Sequence, residues 1–354
     1  MTVTDTRTVA SDLWYTRCPV PTASSLAIAT GELDALFAGD GIAVRSLSTS
    51  DDERVRQSHF DHTQPRSFRQ GGNIPPIWSA SRGGSQRLIG LSWIESVQHV
   101  VALADSGVSS VADLAGRRIG VSRRVNDQID FWRATALHGI EAALRSGGLR
   151  IDDVDIVDLD EAKPYIPAGP GAPTGSLFGA FTNKRLQSAE VVALVRGEVD
   201  AIYVNGLRGI DLEALLDLRV VVDITAFPDA RDRVSNIAPV AFTASTDLIE
   251  ERPDLVARYL VASQQAATWA ETHPDEVRRI VAQEVGYAEE FVDHAYGADL
   301  HRRLHVSLDD DLVEAIAVQK DFLLRHGFIA ADVDLDAWID PRPLREAADL
   351  LAGL

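Results

Sequence analysis

The chain has 354 residues, room for two domains of ordinary size, and its 45% hydrophobic and 25% charged residues are the composition of a folded globular protein. Its 53 acidic against 34 basic residues give a formal net charge of -19, which argues against nucleic acid and anionic membranes as partners. A single cysteine excludes an intramolecular disulfide, no apolar run approaches the ~20 residues that span a bilayer, and the first residues lack a secretory apolar core, so a cytoplasmic location is expected.

The first strand-like run, residues 13–15, leads to that one cysteine, Cys18. Pro19 and Pro21 block its continuation, and a helix-compatible stretch covers residues 22–36. Cys18 is therefore expected on a strand-to-helix turn, near a helix N-terminus and beside Arg17, in a field that favours the thiolate. On composition alone a lone cysteine reads as a small buried hydrophobe, so its neighbours must carry any other reading.

Residues 42–47 form the next candidate strand. The following stretch, 58–76, packs His59, His62, Arg66, Arg69, Gln64, Asn73 and the Gly71-Gly72 pair into a region with little apolar periodicity. That pattern reads as a loop, and loops on a rigid scaffold are where binding groups concentrate. A generic polar loop is the plainer alternative. His59, Asp61 and His62 lie close together, but their spacing matches no strong zinc pattern, and no metal is expected.

Further strands are expected at 87–91, 99–103, 118–122, 155–158, 199–204, 220–224 and 239–244. Helices are expected at 111–115, 128–146, 188–196 and 255–272, followed by a helical C-terminal quarter at 289–294, 312–326 and 343–351. This alternation favours an α/β architecture, with no internal repeat. Within 111–122 a short helix ends at Gly116, suited to a left-handed cap, and a strand begins at once. The arrangement resembles the passage into the second lobe of a type II periplasmic-binding-protein fold. It implies two α/β lobes with the ligand cleft between them. Lobe 1 is expected to comprise residues 1–105 and 240–354 and to carry Cys18, His59 and Arg69; lobe 2 is 106–239. Residues 163–175, with four prolines, read as a loop over the cleft or as a surface insertion.

Cys18-Pro19-Val20-Pro21, His59-Phe60, Gln64-Pro65, Arg69, the run Gly71 to Pro76 and residues 112–122 together resemble the hydroxybiphenyl sulfinate desulfinase family, aromatic sulfinate desulfinases of dibenzothiophene desulfurisation. Weaker similarity at Asp152-Asp153-Val154, 197–203 and Arg252-Pro253 carries the resemblance over most of the chain. It implies the two-lobed fold, a cytoplasmic enzyme with no metal or organic cofactor, and essential roles for Cys18, His59 and Arg69.

These residue types suit a sulfinate, a compact anion. Arg69 offers a planar fork for two sulfinate oxygens, and the N–H groups of Gly71 and Gly72 have no side chain to keep an anion away. Thr16 and Gln64 are candidate second donors. Cys18 either protonates the departing carbon as a thiol or attacks sulfur as a thiolate, with His59 setting its ionisation or activating water. The expected reaction converts a small-molecule anionic substrate, a sulfinate, and water into a desulfinated product and sulfite.

Departures from the family alter the walls rather than this centre. Where the family has a Trp-rich stretch after the strand at 199–203, the chain reads Val204-Asn205-Gly206-Leu207-Arg208-Gly209, which adds the cation Arg208 as a candidate substrate contact. Residues 131–140 are expected to lack a pocket tryptophan, and His62 replaces a tyrosine. A sulfinate smaller or more polar than a hydroxybiphenyl is expected. The rival reading is a cytoplasmic binding protein for sulfonates, sulfinates or thiamine precursors, which needs Arg69 but no thiol. A third is a Cys–His enzyme of thiamine-precursor biosynthesis that consumes one of its own histidines. Trp93, at a strand end, is a candidate ligand contact; Tyr259 and Trp269 read as core, and the remaining histidines carry no motif.

Overall fold

The computed structural model describes residues 12–166, 169–171 and 187–353. Among the described residues ten strands form two five-stranded mixed sheets. β1 (Leu13–Arg17), β2 (Val44–Ser46), β3 (Ser67–Gly71), β4 (Gln86–Ser92) and β10 (Val240–Ser245) make the first, in the order β2-β1-β3-β10-β4. β5 (Gln98–Leu103), β6 (Arg118–Arg124), β7 (Asp155–Glu161), β8 (Ala201–Asn205) and β9 (Leu218–Asp223) make the second, in the order β7-β6-β8-β5-β9. In each sheet one strand runs against its neighbours, β10 in the first and β5 in the second. Each reversed strand is the one by which the chain arrives from the other sheet, so the two halves repeat one topology.

The chain crosses at 93–97 and returns at 224–239. The first crossing lies earlier than the expected division at residue 105. Residues 98–103 hydrogen-bond to β8 and β9, so β5 belongs to the second lobe. The return into β10 falls where the apolar run at 239–244 points.

Each sheet is covered on both faces, as parallel sheets require. On one side of the first sheet, Leu13, Phe68 and Phe242 pack against the long helix Pro253–Glu271, with Phe68 stacked on Tyr259 at 4.0 Å. On the other, Ile77, Leu88 and Leu91 meet the helix Asp310–Arg325 through Ile316 and Phe322. In the second sheet, Ile119, Val121 and Tyr203 face α5 (Phe131–Ser146), while Val101, Ile202 and Val204 face the helices Ser188–Val195 and Gly206–Leu216. Among the described residues no helix is long and apolar enough to cross a membrane.

Two local readings change. The stretch at 22–36 is two helices, α1 (Ala23–Ala29) and α2 (Glu32–Ala38), because Gly31 takes a left-handed φ of 78° between them. The stretch at 58–76 is not a loop. It contains the end of α3 (Glu53–Asp61), all of β3, and the start of α4 (Ile74–Ser81), where Pro75 and Pro76 occupy the first turn.

His99, without a motif in the sequence, is a structural cation on β5. It sits 2.7 Å from the Glu213 carboxylate and 3.3 Å from that of Asp223. Burial opposes its charge, but hydrogen bonds to Asp223 and Glu213 prevail and raise its pKa to about 9. A raised histidine stabilises the fold fully below its unfolded pKa, and the contribution is lost as pH rises through the folded value. Denaturant unfolding should therefore show on the order of 2 kcal/mol less stability at pH 9.5 than at pH 6 from this group. His99→Gln should flatten that difference; an unchanged slope would show that the pair is idle.

Candidate functional site

Strand periodicity assembles the site. Residues two apart on a strand share a face, so Thr16 and Cys18 project to the same side of the first sheet. In the parallel pairing of β1 with β3, Thr16 lies opposite Arg69. Arg69 and Gly71 therefore share that side with Thr16 and Cys18. α3 crosses this face between β2 and β3 and brings His59 down from its last turn.

The contacts are short and specific. The Thr16 hydroxyl lies 2.7 Å from His59 Nδ1, and His59 Nε2 lies 4.0 Å from Cys18 Sγ. Arg69 Nη2 donates to Cys18 Sγ at 3.5 Å. The rest of the guanidinium is anchored, with Nη1 donating to the Gly72 carbonyl at 2.7 Å and Nε to the His59 carbonyl at 3.3 Å. Thr16, His59 and Arg69 are buried, whereas Cys18 is half-buried. Burial, reinforced by the Arg69 charge, drives the His59 pKa down to about 3, so the imidazole is neutral near pH 7.

The thiol opens on a cavity of about 120 Å³. Six aromatic side chains line it: Phe60, Tyr287 and Tyr296 from the first lobe, and Phe131, Trp132 and Tyr165 from the second. Tyr165 stacks over the His59 ring at 6.2 Å and meets Phe131 edge-on at 5.2 Å. One wall is polar, with Asn205, Arg208 and Asn236. Arg208 pairs with Asp211 at 2.8 Å and also reaches the Tyr287 hydroxyl.

Residues 78–168 and 178–277 match the family model described as NMT1/THI5 like. The 2'-hydroxybiphenyl-2-sulfinate desulfinase of Rhodococcus erythropolis is 32% identical over 96% of this chain and 94% of its own. The chain belongs to the 2'-hydroxybiphenyl-2-sulfinate desulfinase family. A Cys-to-Ser mutant of the desulfinase DszB, solved in complex with biphenyl-2-sulfinic acid, superposes with a TM-score of 0.76 at 28% identity, covering 97% of this chain and 100% of that one. The periplasmic aliphatic sulphonate binding protein SsuA of Escherichia coli shares the fold, with a TM-score of 0.64 at 14% identity over 93% of this chain and 92% of its own.

Within this desulfinase fold several expected roles change. Arg17 does not flank the thiol: the strand alternation sends it to the opposite face, where it pairs with Glu284 at 3.0 Å. The N-terminus of α1 is already occupied, because Ser25 N–H donates to Thr22 Oγ1 and Ser24 N–H to Gln70 Oε1. The positive group at the sulfur is instead Arg69. Thr16 holds the imidazole through its hydroxyl. Gln64 lies outside the cavity, its amide turned to the Pro65 carbonyl at 3.3 Å. His62 ends α3 in a left-handed conformation, with Nδ1 2.9 Å from the Phe60 carbonyl, and does not line the cavity.

The glycine pair provides room. A Cβ on Gly71 would lie 2.5 Å from Cys18 Sγ, and one on Gly72 would lie 2.4 Å from the Asn236 amide. Trp93 is part of the first crossing, donates to Glu95 at 3.0 Å and does not line the cavity. Sequence reasoning missed Trp132, expected to be absent from the pocket, and also Tyr165 and Asn236. Tyr165 falls in the 163–175 segment, of which residues 167–168 and 172–175 lie outside the described residues. Asn236 belongs to the return crossing and accepts the Ile74 N–H at 3.0 Å through Oδ1. Among the described residues no group of three or more His, Cys, Asp or Glu side chains converges as metal ligands would.

Proposed function

We propose that the protein is a desulfinase that hydrolyses the carbon–sulfur bond of an aryl sulfinate and releases sulfite. The observation that carries this reading is the meeting of Cys18, His59 and Arg69 at one end of an aromatic-walled cavity. A pure binding protein needs the guanidinium and the walls but has no use for a thiol held between an imidazole and a cation. That a DszB mutant was solved in complex with biphenyl-2-sulfinic acid supports an aryl sulfinate as the ligand class.

In this reading Arg69 holds the sulfinate oxygens, and Cys18 donates its proton to the ring carbon that bears sulfur. The carbon–sulfur electron pair returns to the ring as SO₂ departs, leaving the arene and a Cys18 thiolate beside the Arg69 N–H. Water converts SO₂ to hydrogen sulfite plus a proton, and that proton restores the thiol. His59 stays neutral throughout and keeps the sulfur oriented through Nε2, while Thr16 fixes the ring. The Asn205–Arg208–Asn236 wall suits a polar substituent on the aryl group, away from the sulfinate.

The test is direct. Purified protein is incubated with 2-phenylbenzenesulfinate and with aryl sulfinates that do or do not carry hydroxyl or carboxylate substituents, and sulfite and arene are quantified. Equimolar sulfite and arene, with lower KM for polar-substituted members, is the expected result. Tight binding across the panel with no sulfite would replace the enzyme by a binding protein.

Gly71→Ala offers a steric check on the same centre. Its methyl group must displace the thiol, and a misplacement near 1 Å costs on the order of 10²-fold in kcat. Sulfite release should fall by about that factor, and because the methyl also meets the Cys18 backbone N at 3.1 Å, a stability loss of about 1–3 kcal/mol should accompany it. Wild-type turnover in this variant would mean that the sulfur position does not matter.

A further inference from the structure

We infer that Glu284, on the far face of the first sheet from the thiol, is a positioning residue that sets where Cys18 sits. The inference rests on the desulfinase reading for its kinetic consequence, but its geometry is independent of it.

Cys18 lies between two anchors, and one carboxylate reaches both. Before it, Arg17 passes to the opposite face and places Nη1 3.0 Å from Glu284 Oε1 and 3.2 Å from the Ser25 carbonyl. After it, Thr22 caps α1, and its hydroxyl lies 2.6 Å from that of Ser25. The Ser25 hydroxyl donates to the same Glu284 Oε1 at 3.1 Å. The Cys18-Pro19-Val20-Pro21 turn is thus tied at its start by an ion pair and at its end by a hydroxyl relay. Both lead to the penultimate residue of the helix Pro274–Val285. Arg17 and Glu284 have side chains only 9% and 5% exposed, at the floor of an open surface cavity, so losing either charge leaves the other largely desolvated and unpaired. That helix end also bears on the substrate, because Val285 and Tyr287 line the cavity.

The arrangement makes the turn sensitive to protonation. Burial drives the Glu284 pKa up to about 7, with Arg17 and the Ser25 hydroxyl pulling in the other direction. The Tyr15 and Tyr296 phenols also sense Glu284, both raised chiefly by burial and neutral over this range, and Arg45, Asp51 and Asp52 line the same cavity as the pair. As pH falls through this value, Glu284 takes up a proton and Arg17 loses its counter-charge.

Glu284→Gln keeps the shape and removes the charge, and Glu284→Asp keeps the charge on a shorter arm. Two readouts separate this inference from the function it builds on. Because Cys18 is the only cysteine, the rate of iodoacetamide alkylation reports that one thiol with no substrate present. Wild type should show a step in that rate near pH 7, absent in Glu284→Gln and partly restored in Glu284→Asp. With an aryl sulfinate that turns over, Glu284→Gln should lose about tenfold in kcat with KM within twofold, and the acid limb of the wild-type profile should vanish. Urea unfolding of each variant shows whether it is folded at the assay temperature; for a variant that is not, Arg17→Met at the other end of the pair is read in the same way. Identical alkylation profiles in folded wild type and variants overturn the inference, whether or not sulfite is made. Absence of sulfite from wild type at every pH, with the alkylation step present, overturns the desulfinase reading alone.

Discussion

Cys18→Ser should abolish sulfite release while leaving aryl sulfinate affinity within about threefold, since in the proposed reading Arg69 holds the sulfinate and the walls hold the aryl group. General acid catalysis by a placed side chain contributes roughly 10²–10⁴-fold, and a serine hydroxyl is a far weaker acid than a thiol, so kcat should drop by at least ~10³-fold. Oxygen is also smaller than sulfur. The contact already at 4.0 Å from His59 Nε2 would lengthen, and the Arg69 N–H would lose a polarisable acceptor. Titration calorimetry for affinity and a sulfite assay for turnover separate the two effects. Turnover within tenfold of wild type would remove the thiol from the chemistry. An adduct of sulfur dioxide on Cys18, seen by intact-mass spectrometry during turnover, would convert the proton donor into a nucleophile.

Arg69→Ala should act on the opposite parameter. Truncating one partner of a buried charge pair costs about 2–5 kcal/mol, so the dissociation constant of an aryl sulfinate should rise at least ~30-fold. The same side chain bridges the His59 and Gly72 carbonyls, which lose their donors together. Each buried acceptor left unsatisfied costs about 1–3 kcal/mol, so this variant should also unfold at lower denaturant concentration. Arg69→Lys separates the roles: it keeps a charge, but a single ammonium cannot serve two carbonyls, the sulfur and the ligand at once. Its affinity should fall between those of wild type and the alanine variant. Equal affinity in all three would place the anion elsewhere.

The sequence announces some of this site and conceals the rest, for reasons that differ residue by residue. Cys18 is legible because two prolines after an apolar run admit few conformations other than a strand followed by a turn. The two-lobed fold is legible because β4, β5, β8 and β10 are almost wholly buried and read as apolar runs. β3 is not, since Ser67-Phe68-Arg69-Gln70-Gly71 contains one large apolar residue where a central strand would ordinarily carry several. Its polar side chains are tolerated because Arg69 donates to two buried carbonyls and Gln70 Oε1 accepts the Ser24 N–H. Arg17 could have been placed correctly from strand alternation alone, which puts adjacent residues on opposite faces. Trp132, Tyr165 and Asn236 could not. They come from α5, from the segment after β7 and from the return crossing, and only the folded arrangement brings those three to one cavity.

The two crossings of the chain divide the labour of the molecule. Cys18, His59 and Arg69 ride on the first sheet and its helix α3, while Phe131, Trp132, Tyr165 and Arg208 ride on the second lobe. In the proposed reading, second-lobe substitutions other than at Tyr165, which stacks on His59, change the cavity walls while leaving Cys18, His59 and Arg69 in place. Selectivity and the thiol's own setting are thus written largely in different stretches of the chain.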